Sequence, residues 1–448
     1  MKVKYSSNYI VLLLIHAAIG FAIFLIPALS KIYTISIFGF GIYYLVKTRN
    51  KNNEALLLSA YVVGAEVLLR MTDGMFFNDF AKYTIMIFLF IGMIFTGLSK
   101  HSYMYWLFLV LLVPGIVVST VTLNFETNVR KAIAFNITGP VCLGISAIYC
   151  YQRHITFDRL KDVITAFCMP LVAILVNVFL FAPSVKEVVT GTYSNFETSG
   201  GYGPNQMATV LGFGIFLFFV QMLLNSPTKK LQLINAGLVL FFAFRGIVTF
   251  SRGGVLTGII MICLLMIVLY FKTGPRGQTK IVFILIFSLV AAVGVWAYSS
   301  IQTSGYINKR YANEDGAGRK KGRLLSGREE LMESELQMFL DSPILGIGVG
   351  KNKEYRQQLT GIEAASHNEI TRMMAEHGSL GILGLLILLF TPLTQYLDNK
   401  QNIFILPFLA FWILTINHAA MRLAAPAFVY ALSLIKVTNF DTPTVHRE

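Results

Sequence analysis

Charge is what this sequence has least of. Only 13% of its 448 residues are Asp, Glu, Lys or Arg, against roughly 25% in an ordinary soluble protein. That scarcity excludes a solvated surface over most of the chain. Acidic residues are the scarcer sign, 23 against 37 basic, which leaves a net charge of +14. Four cysteines are present, and Cys142, Cys150, Cys168 and Cys263 all fall inside apolar stretches. They read as small buried hydrophobes, without the spacing of a disulfide framework or a metal site. The period-2 alternation of a transmembrane β-barrel is also absent.

What is there instead is apolar sequence. Hydrophobic residues make up 55% of the chain. They gather at about 9–27, 31–46, 54–70, 82–98, 104–121, 131–151, 161–182, 206–224, 231–250, 254–271, 281–299, 378–397, 403–417 and 423–436. Runs of this length mean membrane-spanning helices. Backbone groups in lipid must bond within their own segment, so the expected fold is an all-α polytopic bundle of about 12–14 spans. The second segment and the last two are short enough for half-helices. Tyr9 to Pro27 reads as a span rather than as a cleavable leader.

Basic residues give the orientation. Lys2 and Lys4 precede the first span, and Lys47, Lys100, Arg153, Lys229, Lys272 and Lys400 each follow an even-numbered one. Those loops and both termini are therefore expected on the cytoplasmic side. This also accounts for much of the positive charge without nucleic acid. Four regions result: spans in 1–190, spans carrying outward polar motifs in 191–299, a long outer loop in 300–377, and the last spans in 378–448.

In the long loop, 309–323 is basic and glycine-rich, which reads as a solvated stretch or as one attracted to lipid phosphates. Ser326-Gly327-Arg328-Glu329 is a Ser-x-x-Glu capping box. It predicts a helix over about 327–340 that stops before Pro343, with Arg328 in its first turn. A cation there opposes the helix dipole, which suits a nearby anion. Ser366-His367-Asn368-Glu369 is a second such box and predicts a helix running into the span from Gly378. It would place His367 at the first helical position, uncharged near neutral pH and able to accept a proton. A histidine at a helix start is more often only a surface residue; here Asn205, Ser251, Arg252 and Arg328 share its side. Arg245 lies in the outer half of its span, where it either serves an anion or extends toward the interface. Glu66 and Arg70 are spaced to pair structurally. His16, Asn136, Asn177, Gln221 and His418 are expected to hydrogen-bond between helices.

Four motifs occur in order: Gly203-Pro204-Asn205-Gln206, Phe250-Ser251-Arg252-Gly253-Gly254, Ser326-Gly327-Arg328 with Asp341-Ser342-Pro343-Ile344-Leu345-Gly346, and Ser366-His367-Asn368-Glu369 with Glu376-His377-Gly378. In this arrangement the chain resembles the bacterial O-antigen ligase and polymerase superfamily over about residues 195–395. The resemblance implies a GT-C-related helical bundle with short helices in one long periplasmic loop. It implies a metal-independent, inverting glycosyltransferase of the inner membrane that needs no cofactor. Its donor would be an undecaprenyl-diphosphate-linked glycan and its acceptor another glycan or lipid A core. A flippase and a chain-length regulator would be partners alongside membrane lipids. By the same resemblance Arg252 and Arg328, with Arg245, would bind diphosphate, and His367 would act on the acceptor hydroxyl. Asn205, Asn368 and Ser251 would position substrate. Many members have a tryptophan near the place of Met332, so acceptor contacts are expected to differ.

The chain contains no Asp-x-Asp pair to hold a metal. Fixed guanidinium groups would take over stabilisation of the departing diphosphate. A neutral His367 would contribute as general base. Protein O-glycosylation would use the same machinery. A transporter or flippase would instead keep its polar residues near the bilayer midplane, and a scaffold would not need the arginines.

Overall fold

The computed structural model describes residues 2–320, 328–361, 364–419 and 421–438. Every apolar run of the sequence is helical in it. The first seven helices are α1 (Lys2–Leu25), α2 (Leu29–Thr48), α3 (Glu54–Met71), α4 (Phe80–Thr96), α5 (Tyr103–Thr122), α6 (Val129–Cys150) and α7 (Phe157–Phe181). A short α8 (Val185–Val188) leads to α9 (Pro204–Leu224), α10 (Lys229–Ile247), α11 (Arg252–Lys272) and α12 (Pro275–Gln302). The long loop carries α13 (Tyr306–Tyr311), α14 (Arg328–Asp341) and α15 (Asn352–Thr360). The chain returns through α16 (Glu369–Asp398), α17 (Ile405–His418) and α18 (Ala425–Leu432). Two three-residue strands, β1 (His154–Thr156) and β2 (Lys436–Thr438), pair in parallel.

Among the described residues ten helices are long and apolar enough to cross a membrane, so this is a multi-pass membrane protein. The second segment is a full span of 20 residues and not a half-helix. The last two are short, 14 and 8 residues. Large apolar side chains on α1, α2, α5 and α12 are exposed, including Leu14, Ile32, Val110 and Phe287. In water such a surface would aggregate; in a bilayer it is the lipid face. Helix α9 is the opposite case, with Met207 through Gln221 all buried. Cys142, Cys150 and Cys168 are buried as expected, whereas Cys263 is exposed.

Small residues let α11 lie against α9. A Cβ on Gly254 would meet the Ala208 carbonyl oxygen at 2.0 Å, and one on Gly258 would meet that of Gly212 at 2.3 Å. Backbone contact of this kind is a common route to helix association in lipid, where hydrophobic burial cannot drive it. Side-chain hydrogen bonds add to it. His16 meets the Tyr61 hydroxyl at 2.8 Å, Gln221 donates to Thr165 at 2.7 Å, and His418 meets Thr209 at 3.1 Å. Asn136 instead donates to its own helix at Ala132, and Asn177 Nδ2 has no hydrogen-bond partner among the described residues.

Arg245 departs from its expected place. It is fully buried, and its two Nη groups donate to the carbonyls of Ala182 at 3.0 Å and Val178 at 2.6 Å. It thus caps the C-terminal end of α7, where orphan carbonyls favour a cation. Each Nη group gives one N–H to a carbonyl, while Nε has no hydrogen-bond partner among the described residues and the side chain lines a groove between α10 and α12.

Helix α16 is broken at Gly378, whose φ of 61° suits only glycine comfortably. Residues 343–350 fill the break. Ile347 N donates to the Ala375 carbonyl at 2.9 Å, and Ser379 N donates to the Pro343 carbonyl at 2.8 Å. Gly346, Gly348 and Gly350 all have positive φ, so the glycine run is a strap against a kinked helix.

Two variants test these contacts through the unfolding midpoint in detergent. Gly254→Leu should overpack the α9–α11 contact at a cost of ~1–3 kcal/mol. Arg245→Met should cost ~1–3 kcal/mol by stripping a buried carbonyl of its donor. A midpoint equal to that of the parent protein would contradict the role given to either residue.

Candidate active site

Two helix starts meet at one end of the bundle. Pro204 opens α9 at the first helical position, where its missing N–H costs nothing. Asn205 is therefore in the first turn. Ser251 is the residue before α11, and its Oγ donates to Asn205 Oδ1 at 2.8 Å. The close approach allowed by Gly254 sets this distance. Arg252 follows as the first residue of α11 and is partly exposed.

The loop helix α13 packs onto the same place. Arg310 donates its Nε to the Phe250 carbonyl at 3.0 Å and reaches Ser194 Oγ at 3.5 Å. Tyr311 beside it is partly exposed; desolvation pushes its phenol up, and the Arg252 and Arg310 guanidinium groups offset part of that rise. The two arginines thus act on one spot. Arg310 belongs to the stretch read as solvated, but here it is docked. The signal available was the pair Tyr306 and Tyr311, apolar anchors flanking the cation.

His367 and Asn368 stand at the start of α16. The helix begins at Glu369, later than the Ser366 box predicts. Asn368 is the cap: its Oδ1 accepts from Ile370 N at 2.8 Å and Thr371 N at 3.4 Å. Ser366 is used locally, accepting from Asn368 N at 3.2 Å. Glu369 does not reach back as a capping box requires, because it pairs with Arg372. His367 is thus the residue before the cap and not the first of the helix.

The two halves are joined by hydrogen bonds. Asn368 Nδ2 donates to Asn417 Oδ1 at 2.8 Å. The next residue, His418, meets Thr209 Oγ1, which in turn donates to the Asn205 carbonyl at 2.8 Å. The His418 ring also lies where a Cβ on Gly253 would touch it at 2.8 Å. Asn205, Ser251, His367 and Asn368 are therefore members of one polar belt, with Arg252 adjoining it. Arg328 opens α14; its side chain, like all of 321–327 with Ser326 and Gly327, lies outside the described residues.

His367 has a neighbour that sequence reading missed. Arg422, in the turn between α17 and α18, has its Nη2 3.3 Å from His367 Nδ1 and donates to the Ser366 carbonyl at 2.8 Å. Its guanidinium also faces the Phe135 ring at 5.9 Å. The turn is clamped on both sides. Arg70 Nη2 donates to the Arg422 carbonyl at 3.0 Å and to Glu66 at 2.7 Å, and Glu66 accepts from Ala424 N at 2.8 Å. Across the turn, Met421 N donates to Glu369 at 3.3 Å, and Glu369 is held by Arg372. The expected Glu66–Arg70 pair is thus present and carries one side of this clamp.

Behind α16, Arg372 also pairs with Glu376, which accepts from Gly350 N at 2.8 Å. Arg356 pairs with Glu335 at 2.5 Å, and Thr371 donates to the same carboxylate. Burial pushes the Glu335 carboxyl up, against the pull of Thr371 and Arg356. These ties fix α14 and α15 to α16. An apolar groove of ≈ 570 Å³, lined by Phe179, Leu240, Phe241, Phe244, Val295 and Tyr298, runs between α10 and α12.

No curated protein matches the chain. Residues 236–386 match a family model described as O-antigen ligase. The matched segment runs from α10 into α16, so it contains Arg252, Arg328, His367 and Asn368, and leaves out Asn205 and Arg422. Over residues 236–386, about a third of its length, this multi-pass membrane protein is similar to the O-antigen ligase family.

Proposed function

We propose that the protein transfers a polyprenyl-diphosphate-linked glycan to a sugar hydroxyl, as a polysaccharide polymerase or a ligase, at the periplasmic face of the inner membrane. The observation that carries this reading is the polar belt. It joins Asn205, Ser251, Asn368 and His367 at one end of the helices, with Arg252 and Arg310 beside it. A transporter would need such groups deeper in the bundle.

The chemistry follows from the donor. As the glycosidic bond breaks, its electron pair leaves on the diphosphate. Guanidinium groups already in position stabilise that charge without reorganising. Arg252 has this role together with Arg328, and Asn205 and Asn368 hold the surrounding backbone and side chains. The acceptor oxygen forms the new bond from the opposite face, which inverts the anomeric carbon. Glycosyl transfer passes through an oxocarbenium-like state, so the acceptor proton is lost to outer water after the new bond has formed. No metal is required in this scheme. The groove between α10 and α12 takes the isoprenoid tail, each buried methylene contributing about 0.8 kcal/mol.

The test is complementation of cells whose own copy of the gene is deleted. Arg252→Ala and His367→Ala should each lower product by about 100-fold or more, with normal protein levels. The lipid-linked donor should then accumulate on the outer leaflet. Donor accumulating on the inner leaflet would point to a flippase, and normal product from both variants would refute the site.

A further inference from the structure

Arg422 is outside the matched family segment and has no part in the scheme above. Its geometry nevertheless constrains His367, a member of the polar belt to which that scheme gives no step. A guanidinium group has five N–H donors and no acceptor, and it stays charged. Arg422 Nη2 lies 3.3 Å from His367 Nδ1. A hydrogen bond between them requires a lone pair on Nδ1. An imidazolium would present an N–H there, donor against donor and cation against cation. Donation from Arg422 Nη2 suits a neutral imidazole whose single proton is on Nε2.

Arg422 is not free to move aside. Its own side chain is tied to the Ser366 carbonyl and faces Phe135. Its backbone is held by Arg70, and the flanking amides of Met421 and Ala424 are held by Glu369 and Glu66. Among the described residues, Arg422 faces the ring directly, with Arg70, Glu66, Glu369 and Arg372 behind it.

We infer that Arg422 is a positioning residue that holds His367 in the Nε2–H tautomer, so that His367 donates a hydrogen bond to a substrate oxygen instead of accepting a proton. The oxygen it suits is the one that gains charge as the glycosyl–phosphate bond breaks. A neutral imidazole is a competent electrophile for such an oxygen. The inference rests on the reading of this site as a glycosyltransferase centre, but its central claim concerns a tautomer and can be measured without activity.

The experiment uses the full chain, labelled with 15N-histidine, in lipid nanodiscs. The His367 signals are assigned by difference from His367→Ala. The parent protein and Arg422→Lys, which keeps a donor, should show a bare Nδ1 and a protonated Nε2. Arg422→Met should lose that bias. A protonated Nδ1 in the parent protein overturns the inference, and so does an unchanged tautomer in Arg422→Met. Activity gives the second arm. His367→Gln retains an N–H donor near the place of Nε2 and should stay within about tenfold of the parent, whereas His367→Ala loses about 100-fold. Gln as inactive as Ala would favour a proton acceptor and overturn the donor role. Full activity in His367→Ala would remove the glycosyltransferase reading of this residue while leaving the tautomer result intact.

Discussion

Two carboxylates hold one turn, and the site depends on it. Glu66 on α3 and Glu369 on α16 each accept a backbone amide from the turn after α17, at Ala424 and at Met421. Each is neutralised by an arginine on its own helix, Arg70 or Arg372. Buried charge is costly unless paired and hydrogen-bonded, and here every carboxylate oxygen has a partner. The turn is thereby fixed from an early helix and a late one. Its side chain, Arg422, is delivered to His367 from across 55 residues of sequence.

A second constraint is backbone proximity. Gly254 admits α11 to the surface of α9, and that contact brings Ser251 to Asn205. Gly378 breaks α16 so that the strap from 343 to 350 can satisfy the carbonyls freed at the break. Both devices use glycine where any side chain would collide. They explain why motif residues on separate helices share one surface, while the exposed faces of α1, α2 and α12 remain plain apolar surface for lipid.

Much of this was legible in the sequence because it is local. Apolar runs gave every span, and the α14 helix before Pro343 could be read from its spacing. Motif order pointed to Arg252 and His367, and the i, i+4 spacing to the Glu66–Arg70 pair. What could not be read depends on competition or on distance. Ser366 and Asn368 are both good caps, and only the diversion of Glu369 to Arg372 decides between them. Arg245 had two chemically sound destinations, and the buried carbonyls at the end of α7 took it inward. Arg310 sat in a stretch whose composition suggests solvation, yet its backbone partner at Phe250 docks it. Arg422 carries no local signal at all, since its partners lie on α3 and in the segment before α16.

The account's central claim is that donor and His367 meet at the end of the bundle where α9, α11 and α16 begin. Electron cryo-microscopy of the protein with a non-hydrolysable polyprenyl-diphosphate sugar tests it most directly. The diphosphate should lie against Arg252, with the imidazole of His367 directed at the bridging oxygen through Nε2. A diphosphate bound at the opposite end of the helices, or one at this end with His367 turned away from it, would contradict the account.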